Sequence, residues 1–439
     1  MTTDGQISPE RLMALRVLRR VADGAFADRA FAAEARRADL DPRTRSAAMR
    51  LSYGAVQRRR TLDWLIDGAL ERPDALEPDV REVLRIGAYE LIWSDRVPDA
   101  AAVDQTVRLV RTLHGVPRRR TARAGLVNAV MRRIAEDGKR RLARLAGDPN
   151  AAGIRHSLPD WIVEGFQSSL GALAEDAMAA ANEPAESAIR WNPLRGPRRS
   201  VENALTVEWH DDPFLPEALV LEGPFALEDS EIWAHGRAMG QSRASMLPAR
   251  VLAPQPGERI LDLCAAPGAK ATHLAARANN RAEIVCVELH QARAEALRAL
   301  GHRMGARLEV VVGDGRTVEL GGDYDAVLVD PPCTGLGVLS SRPDVRWRRR
   351  PEALAELVKL QGELLARAID LTRPGGRVVY STCTLLAAEN EDVVRGSGAR
   401  LADVTGPFPH LAHPSLVGAL LTLPGRDNTD GFFVARLEI

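Results

Sequence analysis

Cysteine is scarce in this chain of 439 residues: Cys264, Cys286, Cys333 and Cys383 are all it has, none precedes position 264, and no two form a C-x-x-C pair. That spacing excludes a disulfide scaffold and gives no sign of a zinc site or any other metal centre. Lysine is scarcer still, supplying three of the 59 basic residues (Lys139, Lys270, Lys359), the rest being arginine. Long apolar runs are missing too. No stretch approaches the roughly 18 uninterrupted apolar residues of a membrane span, and the polar opening "MTTDGQISPE" lacks the basic and apolar regions of a signal peptide. The expectation is a cytoplasmic protein without a membrane partner, and a monomer.

Net charge is absent as well, at a formal value of +0, but the average hides an asymmetry. Residues 1–140 carry 27 basic and 20 acidic side chains, whereas the remainder carries 32 and 39. Seven arginines and no acid occupy 111–133, "RTLHGVPRRRTARAGLVNAVMRR". Such a patch supplies sequence-independent affinity for phosphates, although a solvated helix face would look the same.

A hydrophobic share of 45% and a charged share of 27% are those of a globular protein, and the length calls for two or three domains. The first part reads as helix throughout: Val80, Val83, Leu84, Gly87 and Leu91 in "DVREVLRIGAYELIW" form one apolar stripe. Asp41 before Pro42 marks a helix start. An all-α bundle is therefore expected over 1–140. Seven prolines between 159 and 224 break the next stretch, so 141–235 reads as a small α+β connecting subdomain. Over 236–439 the period changes to α/β alternation. The strand-like runs are "RILDLC" (259–264), "EIVCVE" (283–288), "LEVVVGD" (308–314), "DAVLVD" (325–330) and "GRVVYST" (376–382). A Rossmann-like parallel sheet covered on both faces follows, and its ligands should collect at the carboxyl ends of the strands.

The chemistry-bearing residues lie at those ends. "DLCAAPGAK" (262–270) follows the first strand, and its Cys264, Ala265, Ala266 and Gly268 are small enough for the backbone to approach a ligand. Glu288 ends the second strand, 20 residues past Gly268, where an acid accepts hydrogen bonds from ribose hydroxyls. Asp314 ends the third and Asp330 the fourth. The loop lacks G-x-G-x-x-G and the acids would repel extra phosphates, which favours S-adenosylmethionine over a dinucleotide. A lysine at 270, in a chain that otherwise uses arginine, suggests a need for a compact ammonium.

Together, "LDLCAAPGAK", "GDGR", "DPPCTGLG", "RPDVRW", "YSTCT" with "EN" at 389–390, and "DGFFVARL" (430–437) resemble the Sun-type RNA cytosine-5 methyltransferases. "LRIGAYELIW" and "AGLVNAVMRRI" look like the NusB-like RNA-binding domain fused to the methyltransferase in the bacterial 16S rRNA methyltransferase B branch. The resemblance covers essentially the whole chain. It implies an S-adenosylmethionine-dependent enzyme acting on RNA, either 16S rRNA or an assembling small subunit. The cofactor would be held by Cys264, Ala265, Ala266, Pro267, Gly268, Ala269, Lys270, Glu288, Arg293, Asp314 and Asp330. RNA contacts would fall to Arg118, Arg119, Arg120, Arg123, Arg346 and Trp347.

Carbon 5 of cytosine is a poor nucleophile, and a thiolate adding to carbon 6 makes the ring electron-rich enough to accept a methyl group. A free thiol is only a few per cent ionised at pH 7, a deficit of roughly 2 kcal/mol that a site must offset. By resemblance Cys383 is the nucleophile, Cys333 assists release, Asp330 stabilises the ring and Lys270 organises Asp330. DNA cytosine-5 methyltransferases use the "PPC" cysteine instead, so the assignment is a fork. Buried filler remains the ordinary role of a lone cysteine. Where the family has "PGGKT" this chain has Ala269 and Ala271; Glu288 replaces an aspartate, Ser242 an acid and Ala388 a proline. None of these removes a catalytic group. The same chemistry on tRNA, and a non-catalytic assembly factor, are the competing expectations.

Overall fold

The Asp41 carboxylate accepts hydrogen bonds from the backbone N–H groups of Arg43 and Thr44, and Pro42 occupies the first helical position, as the sequence predicts. It opens one helix of an α-helical bundle within a computed structural model that describes residues 7–439. The bundle comprises α1 (Pro9–Ala22), α2 (Ala27–Arg37), α3 (Pro42–Gln57), α4 (Arg59–Asp67), α5 (Pro78–Trp93), α6 (Asp99–Val110) and α7 (Pro117–Ala143). The stripe on α5 is buried, Leu84 completely, against Leu62, Ile66, Val127 and Met131. Position 87 on the same helix takes glycine, because a Cβ there would fall 2.3 Å from Thr106 Oγ1. Two arginines inside the bundle are neutralised: Arg11 by Glu90, with N–O distances of 2.5 and 2.7 Å, and Arg85 by Asp63.

Two compact units divide the chain, and their boundaries differ from those read in the sequence. The first holds residues 1–164 together with 342–348; the second holds 165–341 and 349–439. The connecting stretch is thus shared between the two. "RPDVRW" belongs to the helical unit, where the Trp347 indole N–H donates to the Val56 carbonyl at 2.7 Å.

In the second unit, β1 (Ala188–Trp191), β2 (Trp209–Asp211), β3 (Ala218–Leu221) and β4 (Ala238–Gly240) form a small antiparallel sheet in the order β2-β3-β1-β4. The large sheet contains β5 (Arg259–Asp262), β6 (Glu283–Glu288), β7 (Glu309–Val312), β8 (Tyr324–Val329), β9 (Thr372–Thr382), β10 (Arg400–Ala402), β11 (Leu420–Thr422) and β12 (Phe432–Glu438). Its order is β10-β12-β9-β8-β5-β6-β7, with β11 paired to β12. Strands β5 to β9 are parallel, but β12 runs antiparallel to β9, so the sheet is mixed rather than purely parallel. Phe432 and Phe433 are thereby brought back beside the end of β9, with Phe433 opposite Thr382. Among the described residues, no helix is long and apolar enough to cross a membrane.

Leu84→Ala should lower the unfolding free energy by about 2–5 kcal/mol, the usual cost of emptying a fully buried leucine site. Urea denaturation followed by circular dichroism reads this directly; a loss below about 1 kcal/mol would mean that α5 is not central to the bundle.

Candidate active site

The loop after β5 turns at Gly268, whose φ of 109° suits glycine and whose missing Cβ would meet Leu297 Cδ1 at 2.5 Å. Ala269 then starts the helix Ala269–Arg277, so neither Ala269 nor Ala271 needs left-handed backbone and both replacements are accommodated. Arg293 donates to the Ala266 carbonyl at 2.8 Å and approaches Glu288 Oε1 at 3.5 Å, tying the loop to the end of β6. Glu288 also accepts from the His290 backbone N–H at 3.0 Å. Asp314 is engaged by Arg316, whose hydrogen bonds hold its carboxyl below the usual range. Cys264 lies in the loop, and burial pushes its thiol upward, an environment for packing rather than for attack.

Sequence reading missed Asp262, the last residue of β5. It is 1% exposed and neither carboxylate oxygen has a hydrogen-bond partner among the described residues. Burial, then the nearby Asp330 charge, push its pKa up to about 7. An aspartate ending a strand gave no sequence signal of its own, because only the fold shows that nothing satisfies it. An orphaned carboxylate, a glycine turn that a Cβ would fill and an acid at the end of β6 fit a ligand carrying an ammonium and a ribose, as S-adenosylmethionine does. Arg190 on β1 was also missed. Wholly buried, it donates to the Ala269 carbonyl at 2.7 Å and to Thr272 Oγ1 at 2.9 Å, bracing the start of the ligand-loop helix from behind.

One strand over, Asp330 follows β8 and bonds Lys270 Nζ at 2.7 Å through one oxygen and Ser381 Oγ at 3.0 Å through the other. Burial works against the Lys270 ammonium, but the Asp330 carboxylate more than compensates, so its pKa stands above the ordinary lysine value. Lys270 Nζ also lies 5.0 Å from the centre of the Phe432 ring. The two thiols expected from "PPC" and "TC" meet: Cys333 Sγ and Cys383 Sγ are 3.3 Å apart. Cys333 is buried and Cys383 partly exposed. The hydrogen bond to Cys383, then burial, raise the Cys333 thiol well above its ordinary range.

Among the basic residues, Arg118, Arg119 and Arg120 are exposed on the first turn of α7, Arg119 lying 3.0 Å from the Glu77 carboxylate. Arg123 is a correction. It is 9% exposed, spends two nitrogens on the Glu77 carboxylate and donates a third to the His114 carbonyl at 2.7 Å. Arg346 is another: with 0% exposure it donates to the carbonyls of Pro343, Gln57 and Ser157, which leaves no edge for a phosphate. Trp347 is half-buried against the helical core, with Arg59 over its ring.

The description of the 16S rRNA methyltransferase RsmB/F family matches residues 249–438, and that of the NusB family matches residues 8–136. The chain is similar to the ribosomal RNA small subunit methyltransferase B of Thermus thermophilus, 36% identical over 98% of this chain and 97% of that protein. It is also similar to a probable ribosomal RNA small subunit methyltransferase B of Synechocystis, 34% identical over 91% and 92%. Among solved structures, PH0851 superposes with a TM-score of 0.81 at 26% identity, covering 99% of both chains. NSun6 from Pyrococcus horikoshii, solved with SFG, covers 64% of this chain and 98% of its own, with a TM-score of 0.60 at 24% identity.

Asp262 gives the site a pH signature. With its folded pKa raised to about 7, the native state holds a proton that the unfolded chain releases near pH 4. Its contribution to stability is therefore present at low pH and lost as pH rises through about 7. Asp262→Asn should stabilise the ligand-free protein relative to wild type at pH 8 and by less than half as much at pH 5, because the unfolded carboxyl ionises from about pH 4 upward. Melting curves at the two pH values check this; an equal effect at both would show that Asp262 is not held protonated.

Proposed function

Because the chain belongs to the 16S rRNA methyltransferase RsmB/F family, and so is an S-adenosylmethionine-dependent RNA methyltransferase, we propose that it methylates carbon 5 of a cytosine in small-subunit rRNA. The observation that carries this reading is the 3.3 Å pair of sulfurs beside the Lys270–Asp330 ion pair. A single activated thiol would serve many reactions. Two at this distance suit one that forms a carbon–sulfur bond and must later break it.

Cys383 is the more exposed of the two, and Cys333 keeps its proton, so the pair divides into a nucleophile and a donor. The Cys333 S–H stabilises the Cys383 thiolate, which adds to carbon 6 of the ring. Charge then builds at the polar edge of the base, where Asp330 orients the ring and the Lys270 ammonium stabilises it. Asp262, Gly268 and Glu288 would hold S-adenosylmethionine, which would supply an electrophilic methyl group to carbon 5 and leave as the neutral thioether. The carbon 5 proton then passes to solvent, the electrons of the carbon–sulfur bond return to Cys383, and the Cys333 S–H donates to the departing thiolate. A base paired within a duplex must leave its stack before a thiol can reach carbon 6, and the single-stranded regions of rRNA lower that cost.

Cys333→Ala should accumulate a covalent RNA–protein adduct that survives denaturing electrophoresis, and Cys383→Ala should form none and transfer no methyl group. The reverse pattern would assign the attack to Cys333. Transfer of a tritiated methyl group to unmodified 16S rRNA, followed by nucleoside analysis, identifies the methylated atom; label at any position other than carbon 5 of cytosine would overturn the reading.

On α7, replacing Arg118, Arg119 and Arg120 together by alanine should weaken rRNA binding and flatten its logarithmic salt dependence by about two units, three charges each contributing somewhat under one. Filter binding between about 50 and 200 mM salt measures this. An unchanged slope would remove these arginines from the interface.

A further inference from the structure

We infer that Glu389 and Asn390 are positioning residues for the two thiols: a clasp in which Glu389 holds the loop of Cys333 and Asn390 the loop of Cys383. Glu389 is fully buried, and its three donors are neutral. Its Oε1 accepts from the Thr334 backbone N–H at 2.8 Å and from Gln361 Nε2 at 2.9 Å, and its Oε2 accepts from the Thr334 hydroxyl. Thr334 directly follows Cys333. Since that hydroxyl has one proton and gives it to Glu389, the 2.7 Å contact between Thr334 Oγ1 and Thr384 Oγ1 is donated by Thr384. Thr384 directly follows Cys383. A continuous chain of hydrogen bonds thus runs from one cysteine's neighbour to the other's and ends on a carboxylate.

Asn390 completes it from the other side. Its Nδ2 donates to the Thr384 carbonyl at 3.0 Å, and its Oδ1 accepts from the Thr382 hydroxyl, so the residues on both sides of Cys383 are gripped. The Tyr380 hydroxyl donates to the Glu389 carbonyl at 2.6 Å and fixes the clasp to β9. Arg349 donates to the carbonyls of Cys333 and Thr334, both at 2.9 Å, and steadies the first loop. None of these hydrogen bonds ends on a sulfur.

A buried carboxylate without a cationic partner is costly to retain unless every acceptor site is used. Here one group collects both donors of Thr334 and one of Gln361, which an acceptor-only side chain does best. The strand register explains the need. Cys333 lies on the loop after β8 and Cys383 on the loop after β9, and loops are the mobile parts of a sheet. The sheet fixes where the strands end, whereas the clasp fixes how far apart the sulfurs stand beyond those ends.

This inference rests on the proposed reaction only for its kinetic arm. Glu389→Ala should lower kcat for methyl transfer by about 10–100-fold while the KM values for RNA and cofactor change less than about threefold, since misplacement by about 1 Å costs transfer rather than binding. Glu389→Gln, which keeps Oε1 and lets the hydroxyl chain reverse direction, should lose less than Glu389→Ala. The second arm needs no RNA. Diamide takes two hydrogens from a thiol pair and leaves a disulfide, and mass spectrometry of the peptide linking Cys333 to Cys383 reports the rate. That rate should fall at least about fivefold in Glu389→Ala, given the same sensitivity to placement. If that variant does not fold, Thr384→Val breaks the hydroxyl chain with little change of shape and should slow both readouts. Wild-type kcat and wild-type disulfide rate in a folded variant would overturn the clasp. Failure of the wild-type protein to methylate carbon 5 would overturn the proposed reaction and leave the diamide arm to judge the clasp.

Discussion

The Lys270 ammonium meets the Asp330 carboxylate at 2.7 Å because β5 and β8 are parallel neighbours whose ends lie level, Asp262 opposite Leu328. One residue group beyond each end, the chain supplies a cation from the loop helix and an anion from "DPPC". Strand β9, on the other side of β8, pairs Tyr380 with Val329 and so presents Ser381 to the second oxygen of Asp330. Three consecutive strands of the sheet are thus stitched at their carboxyl ends through one carboxylate. Removing Lys270 would leave Asp330, partly exposed, with Ser381 as its remaining side-chain partner.

Around that stitch the site separates charge by environment. Asp330 is paired, Asp314 is held by Arg316 and Glu288 by a backbone N–H and Arg293, whereas among the described residues no side chain pairs with Asp262, which takes up a proton near neutrality. The sulfurs follow the same logic. Burial suppresses ionisation of Cys264 and Cys286, and hydrogen bonding to Cys383 keeps the proton on Cys333. Cys264 and Cys383 are the partly exposed thiols, and Cys383 is the one beside a proton-bearing sulfur.

Arginine serves two purposes that composition alone does not separate. Arg123 and Arg346 are internal braces, the first for the start of α7 and the second for the 342–348 segment in the helical unit. Arg118 and Arg120 remain at the surface and are available to phosphate. Arginine suits both uses because its planar fork satisfies several carbonyls at once and also reaches a phosphate in two places.

The sequence by itself determined the period-2 and period-3.6 patterns, hence the helical first part, the five parallel strands and the small-residue loop after β5. It also determined which residue types stand at strand ends, so Lys270, Asp330, Cys333 and Cys383 are legible as a set in the sequence alone. The sequence did not determine partnership. That Glu77 would claim Arg123, that carbonyls would enclose Arg346, that Asp262 would be left without a donor and that β12 would return antiparallel beside β9 were decided only by tertiary structure. Local pattern fixes which face of an element is apolar, because that depends on neighbours a few residues away. Satisfaction of a buried charge depends on groups tens to hundreds of residues away, and only the folded chain sets their distances.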